Sequence, residues 1–107
     1  MMVGPADDEY ERYKREGDEL VKKGEYEKAL KKFQACLVVP NFSNDTYAKG
    51  KIEQCKNAVQ LRKEAETALS KNDGPVAVER LKQILVSNPD DPITRKMLAD
   101  YWKKKET

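Results

Sequence analysis

Apolar side chains recur along this chain at intervals of three and four residues, which places them on one face of an α-helix. Glycine, proline and asparagine interrupt the pattern, and the uninterrupted stretches predict helices over residues 7–23, 26–38 and 45–71, with a fourth starting at Pro75 and a fifth at Pro92. The third helix is predicted to be the longest, because Gly50 is the only glycine or proline within residues 45–71. The expected fold class is therefore all-α, with about five helices in antiparallel succession.

The predicted helix ends follow from residues with known positional preferences. Gly24 is expected to end the first helix, since glycine accepts the backbone conformation found at helix C-termini. Ser43 or Asn44 is expected to cap the third helix. Pro75 occupies the first position of the fourth, and Asp91 caps the fifth.

The buried face of the third helix is expected to shift along its length. Its apolar stripe runs through Ala48, Ile52, Cys55 and Val59, and then steps by only two residues to Leu61. Either the helix bends near this step, or its two halves pack on different neighbours.

Composition narrows the classes of function. The formal net charge is +2 and the two signs alternate along every segment, so no basic face for nucleic acid is expected. No apolar run approaches the roughly 18 residues of a membrane helix, and no signal peptide is apparent, which leaves the cytoplasm as the default compartment. Residues 7–104 are predicted to form one domain, with 1–6 as a flexible N-terminus or an expression remnant and 105–107 as a frayed tail.

Candidate chemistry is sparse. The chain has no histidine, which removes the commonest general base and metal ligand. Cys36 and Cys55 lie on apolar stripes without ligand spacing, so both are expected to be reduced and metal-free, although a bridge between them stays open. No enzyme activity and no cofactor are expected.

An internal repeat links the helices. Four pairs of residues of similar character lie 48 positions apart: Gly17/Ala65, Ala29/Ala77, Phe33/Leu81 and Leu37/Leu85. A further half-copy follows at a spacing of 34, from Ala65 to Ala99. Small residues at these positions let paired helices approach closely while bulky partners fill the gaps, so Phe33 is expected between the first and third helices and Ala77 against the helix of Ala65.

This arrangement of small and bulky residues resembles the tetratricopeptide repeat, a helical hairpin with a period of about 34 residues. The resemblance covers about residues 10–102 and implies a superhelix of two and a half repeats. It departs from the family pattern in the 48-residue spacing, which places 14 extra residues at 45–58, and in Gly74, which stands where the first copy has Tyr26.

The resemblance implies that a peptide or partner protein binds in the concave groove of the first helices. Eight residues would line it: Lys14, Asp18, Val21, Arg62, Glu66, Leu69, Lys96 and Asp100. Six of them form cation–anion pairs four residues apart, which serve equally as ordinary solvated ion pairs. Binding is expected to centre on Arg62, Glu66 and Leu69. The planar guanidinium of Arg62 suits a ligand carboxylate or carbonyl, and Leu69 would give an apolar contact. Asp18 and Glu66 stand where a subtype that clamps C-terminal carboxylates has asparagine, so that clamp is rejected.

The alternative function is a structural spacer or self-association module that stacks on flanking repeats or on a second copy. It would use the end faces, with Tyr10 and Tyr13 at one end and Tyr101 and Trp102 at the other. Phe42 and Tyr47 flank the loop before the third helix, as core plugs or as an exposed anchor for a partner.

Overall fold

The computed structural model describes residues 4–106, and within that range the chain forms five α-helices and no strand. Their bounds are α1 Pro5–Lys22, α2 Tyr26–Val38, α3 Thr46–Ser70, α4 Gly74–Ser87 and α5 Pro92–Glu106. The predicted fold class and helix order are confirmed, and α3, with 25 residues, is the longest. Helix α1 begins two residues earlier than predicted and α5 continues through Glu106, while residues 1–3 and 107 lie outside the described part.

The helix ends explain where the chain turns. Gly24 has φ of 75° after α1, a conformation that glycine adopts without steric cost. Asp45 caps α3 by accepting a hydrogen bond from the backbone N–H of Ala48 at 2.9 Å, so the prediction of Ser43 or Asn44 as the cap was wrong by one or two residues.

Consecutive helices pack as hairpins, α1 on α2, α2 on α3, α3 on α4 and α4 on α5, in a body of about 60 × 18 × 18 Å. The principal hydrophobic core lies where α1, α2, α3 from Ala48 to Ala65, and part of α4 meet. Helix α5 contributes least, since Thr94 is the one residue it buries among those described.

Phe33 occupies the centre of the first hairpin and is fully buried, as the repeat pattern predicts. Its ring fills the space that a Cβ atom at Gly17 of α1 would need, with ring carbons 2.7–3.0 Å from that position. On the other side it meets the ring of Tyr47 of α3 edge to face, with centroids 6.3 Å apart. The small residue at 17 is thus required by the close approach of α1 to this ring.

The loop between α2 and α3 is held to α1 by aromatic stacking. The rings of Tyr10 and Phe42 lie parallel at 3.9 Å, and the Tyr10 hydroxyl donates to the Asp45 carboxylate at 2.6 Å. Phe42 is therefore a half-buried plug of the core. Tyr10 is only 5% exposed, so the sequence-based assignment of Tyr10 to an exposed end face was wrong.

The buried stripe of α3 is continuous. It passes through Ala58, which is 2% exposed, and not through Val59 as predicted, so the steps from Cys55 to Ala58 and on to Leu61 are three residues each. Steps of three let the buried face rotate gradually around the helix. From Ile52 to Leu61 these steps carry the buried side about half a turn around α3, so the single unbroken helix uses different sides to pack on α2 and on α4, as the second of the two expectations has it.

Candidate interaction site

The eight residues predicted to line one groove lie in four different settings. Lys14 and Asp18 surround Tyr47 on the outside of the first hairpin. Arg62 belongs to a buried polar cluster, and Val21 is buried in the core. The remaining four lie on the side of α3 that faces α5, or on α5 itself: Glu66, Leu69, Lys96 and Asp100.

Tyr47 contacts both charged residues of the first setting, Lys14 and Asp18. Its hydroxyl donates to the Asp18 carboxylate at 2.7 Å, and the Lys14 ammonium lies 4.6 Å from the ring centroid. Partial burial, followed by the hydrogen bond to Asp18 and the charge of that carboxylate, raises the pKa of Tyr47 to about 12. Tyr47 is 38% exposed and its ring meets that of Phe33 edge to face, so part of the ring packs on the core and part is open to solvent.

A buried polar cluster connects α2, α3 and the start of α5. Asp91, at the start of α5, is fully buried. Its carboxylate accepts hydrogen bonds from the Tyr26 hydroxyl at 2.5 Å, from Arg62 Nη2 at 3.0 Å, and from the backbone N–H and hydroxyl of Thr94 at 3.0 and 2.7 Å. Donors from α2, α3 and α5 thus converge on one carboxylate. We call this group the Asp91 cluster.

The charge of Asp91 is stabilised within the protein. Burial alone would raise the pKa of Asp91, but the hydrogen bonds from Tyr26 and Thr94 and the charge of Arg62 outweigh it and hold that pKa below its ordinary value. Burial, together with the bond to Asp91, raises the pKa of Tyr26 well above its ordinary value. The Tyr26 hydroxyl therefore stays protonated and donates.

Both terminal nitrogens of Arg62 are hydrogen-bonded to other groups of this chain. Nη1 donates to the carbonyl oxygen of Gly24 at 2.7 Å, Nη2 binds Asp91 and Thr94, and the guanidinium carbon lies 4.9 Å from the centroid of the Tyr26 ring. Arg62 was predicted to hold a ligand carboxylate or carbonyl. It holds both kinds of group, but they belong to the loops after α1 and α4, so its role is to join hairpins.

The predicted i,i+4 ion pairs are only partly formed. Lys96 and Asp100 pair at 3.1 Å with side chains 75% and 63% exposed, as solvated surface pairs do. Arg62 pairs with Asp91 and not with Glu66. The repeated charge pattern thus gives a direct ion pair in α5, while Asp18 bonds to Tyr47 and Arg62 to Asp91.

An open cavity of about 490 Å³ lies between the C-terminal end of α3 and the middle of α5. Its apolar lining comes from Leu69, Met97 and the ring of Tyr101, together with Gly74 at the start of α4. Four polar residues complete the lining: Asn72, Asp100, Lys104 and Lys105. We call it the α3–α5 cavity.

Gly74 shapes the wall of this cavity. The Tyr101 hydroxyl lies where a Cβ atom at position 74 would stand, so any larger residue there would displace the tyrosine ring. Beside it, Trp102 is 45% exposed and its ring meets that of Tyr101 at 5.1 Å. The Lys105 ammonium lies 6.0 and 5.5 Å from the centroids of these two rings, which positions a cation at the mouth of the cavity.

A second cavity of about 310 Å³ lies further along the same side of α3, between the loop after α1 and the start of α5. Glu66 and Arg62 line it together with Val59 and Ile93. Helix α3 thus contributes Leu69 to the α3–α5 cavity and Glu66 to this one. Sequence reasoning placed Leu69 and Asp100 at the candidate site, missed Met97, and named Tyr101 only as part of an end face for self-association.

Comparison with protein-family models, with curated proteins and with solved structures finds no match to this chain. Within residues 4–106, no helix is long and apolar enough to cross a membrane, and no group of three or more potential metal ligands comes together. Cys36 and Cys55 are both buried and free, as predicted, with no bridge between them.

Proposed function

We propose that this protein is a non-catalytic interaction module of the tetratricopeptide type that holds a segment of a partner protein against α3 and α5. The α3–α5 cavity carries the proposal. In this cavity, apolar side chains of both helices, Leu69 and Met97, border open space beside two exposed or half-exposed aromatic rings. Concave, mostly apolar surfaces with a few polar groups at the rim are the usual form of a binding site.

The arrangement of the other polar groups supports a binding role. The most strongly held carboxylate, Asp91, and its partners Tyr26 and Arg62 bond to one another across helices, which is what a rigid scaffold requires. The hairpins then present α3 and α5 side by side as a fixed surface. Of the three residues expected at the centre, the proposal therefore keeps Leu69, leaves out Arg62, and adds the facing side of α5.

Selection from a random peptide display library tests this proposal. Peptides selected on the wild-type protein should lose most of their affinity for a Leu69→Glu variant, because the carboxylate would lie in the apolar lining. A matched Val86→Glu variant should keep it, since Val86 is 83% exposed on α4 and lines none of the cavities described. Failure to select any peptide, or equal binding to both variants, would remove the support for an interaction module at this face.

Self-association is a second candidate, favoured by the weak burial of α5 and the exposure of Trp102. In this case two copies would cover each other's α5. Sedimentation equilibrium should then show a dimer that Trp102→Ala dissociates. A monomer at high protein concentration would eliminate this alternative.

A further inference from the structure

We infer that the α3–α5 cavity binds an acidic peptide segment, with one bulky apolar side chain inserted and carboxylates placed at the rim. This inference rests on the proposed function and adds the chemistry of the partner. It depends on three features of the cavity: its size, its apolar lining and the sign of the charge at its mouth.

The size fits one large side chain with its flanking backbone. The volume of about 490 Å³ lies within the usual range for ligand sites, roughly 300–1,000 Å³. The apolar lining, Leu69, Met97 and Tyr101, comes from two helices and would contact an inserted side chain on opposite sides. A phenylalanine or leucine would lose most of its contact with water there, which favours binding.

The mouth of the cavity is positively charged. Lys105 supplies this charge at the rim, and Lys104 lines the cavity beside it. Asp100, the one acidic residue in the lining, already pairs with Lys96 at 3.1 Å. The position of Lys105 over the rings of Tyr101 and Trp102 keeps its ammonium group close to where a ligand would enter. A partner with carboxylates beside its apolar anchor complements this charge, and a basic partner is repelled.

The second cavity gives no such preference. Three acidic residues, Glu25, Glu27 and Glu66, oppose three cations in its lining, and one of these cations, Arg62, is bound to Asp91. Its lining therefore has no excess of positive charge for an acidic ligand, and the argument for such a ligand applies to the α3–α5 cavity.

Defined peptides test the inference directly. The probe is an octapeptide with a central phenylalanine flanked by glutamates, compared with a peptide flanked by lysines and with one whose centre is glycine. Trp102 is the only tryptophan of the chain and adjoins Tyr101, so its emission reports binding. We expect saturable binding of the acidic phenylalanine peptide, weakened by added NaCl because surface charges are screened. Neither comparison peptide should bind to a comparable degree.

A charge reversal supplies the matched control. The double variant Lys104→Glu, Lys105→Glu should bind the acidic peptide about tenfold more weakly and should instead prefer the lysine-flanked peptide. The variant Lys31→Glu, Lys82→Glu changes the net charge equally at two exposed lysines outside the cavities described, and should behave as wild type. Circular dichroism confirms that both variants are folded.

Three results would overturn the inference. The first is that wild type binds the lysine-flanked peptide as tightly as the acidic one. The second is that the control variant loses as much affinity for the acidic peptide as the Lys104→Glu, Lys105→Glu variant does. The third is that the Trp102 emission changes and saturates when protein alone is added, as self-association would produce. If the display library yields peptides that need Leu69 but carry no acidic residues, the interaction function stands and the acidic preference fails. If no peptide is selected at all, both fail.

Discussion

Replacement of Asp91 by alanine is expected to destabilise the whole molecule. The substitution removes the carboxylate that accepts four hydrogen bonds from Tyr26, Arg62 and Thr94. It leaves the Arg62 guanidinium, whose side chain is only 17% exposed, without its counter-ion, and it removes the N-terminal cap of α5.

The magnitude follows from these losses. Removing one partner of a buried ion pair costs about 3–5 kcal/mol, because the remaining charge stays in a poorly solvated place. Arg62 keeps some contact with water and keeps its bond to Gly24, so the lower end, about 3 kcal/mol, is expected. Loss of a helix cap is expected to add about 1 kcal/mol. Against a typical total stability of about 5–15 kcal/mol, this is a large share.

Urea denaturation followed by helical circular dichroism measures the effect as a shift of the midpoint. Asp100→Ala is the control, since its partner Lys96 is solvent-exposed and the pair should contribute less than about 1 kcal/mol. Arg62→Met should also be costly, and the double variant should cost less than the sum of the two single variants, because they share one interaction. An Asp91→Ala midpoint equal to that of wild type would refute the assignment of a stabilising Asp91 cluster.

The same cluster predicts how stability depends on pH. The pKa of Asp91 is lower in the folded protein than its ordinary value of about 3.9, so its charged form stabilises the fold above that pH. The stabilisation is lost as the pH falls through the depressed folded-state pKa. The difference in unfolding free energy between wild type and Asp91→Asn should therefore be constant from pH 5 to 7 and shrink below about pH 4. A difference that grows on acidification would contradict this.

Further predictions concern the core. Gly17→Ala should lower the melting temperature, because overpacking against Phe33 typically costs 1–3 kcal/mol and outweighs a gain in helix propensity of about 1 kcal/mol. Gly50→Ala, with no atom within 4 Å of the added carbon, should raise it, and a fall would show that the space is not free. Cys36 and Cys55 should react with a thiol reagent only after unfolding, because both are fully buried and burial raises the pKa of each to about 11. Rapid labelling of the native protein at pH 7 would contradict this burial.

The α3–α5 cavity could not be predicted from the sequence, although the residues that line it could be assigned to helices. Met97 and Tyr101 recur on the apolar face of the last helix, and such a face is normally covered. In the structure α5 buries only Thr94. The extent of this burial depends on the distance of α5 from α3 and α4, and a local sequence pattern does not determine that distance. The substitution of Gly74 for the first copy's Tyr26 was a signal, since it marks the place where the Tyr101 hydroxyl approaches the backbone.

The sequence by itself determined the helices, their order and the burial of Phe33 beneath Gly17, because helical periodicity and turn residues act over a few positions. The partner of Arg62 was decided by the tertiary structure. The local pattern offered Glu66, four residues away and exposed, whereas the folded chain provides Asp91 from a loop 29 positions further along. A buried carboxylate attracts a guanidinium more strongly than a carboxylate in water does, because the local dielectric constant is lower. Only the packing of the hairpins places the Asp91 carboxylate beside Arg62.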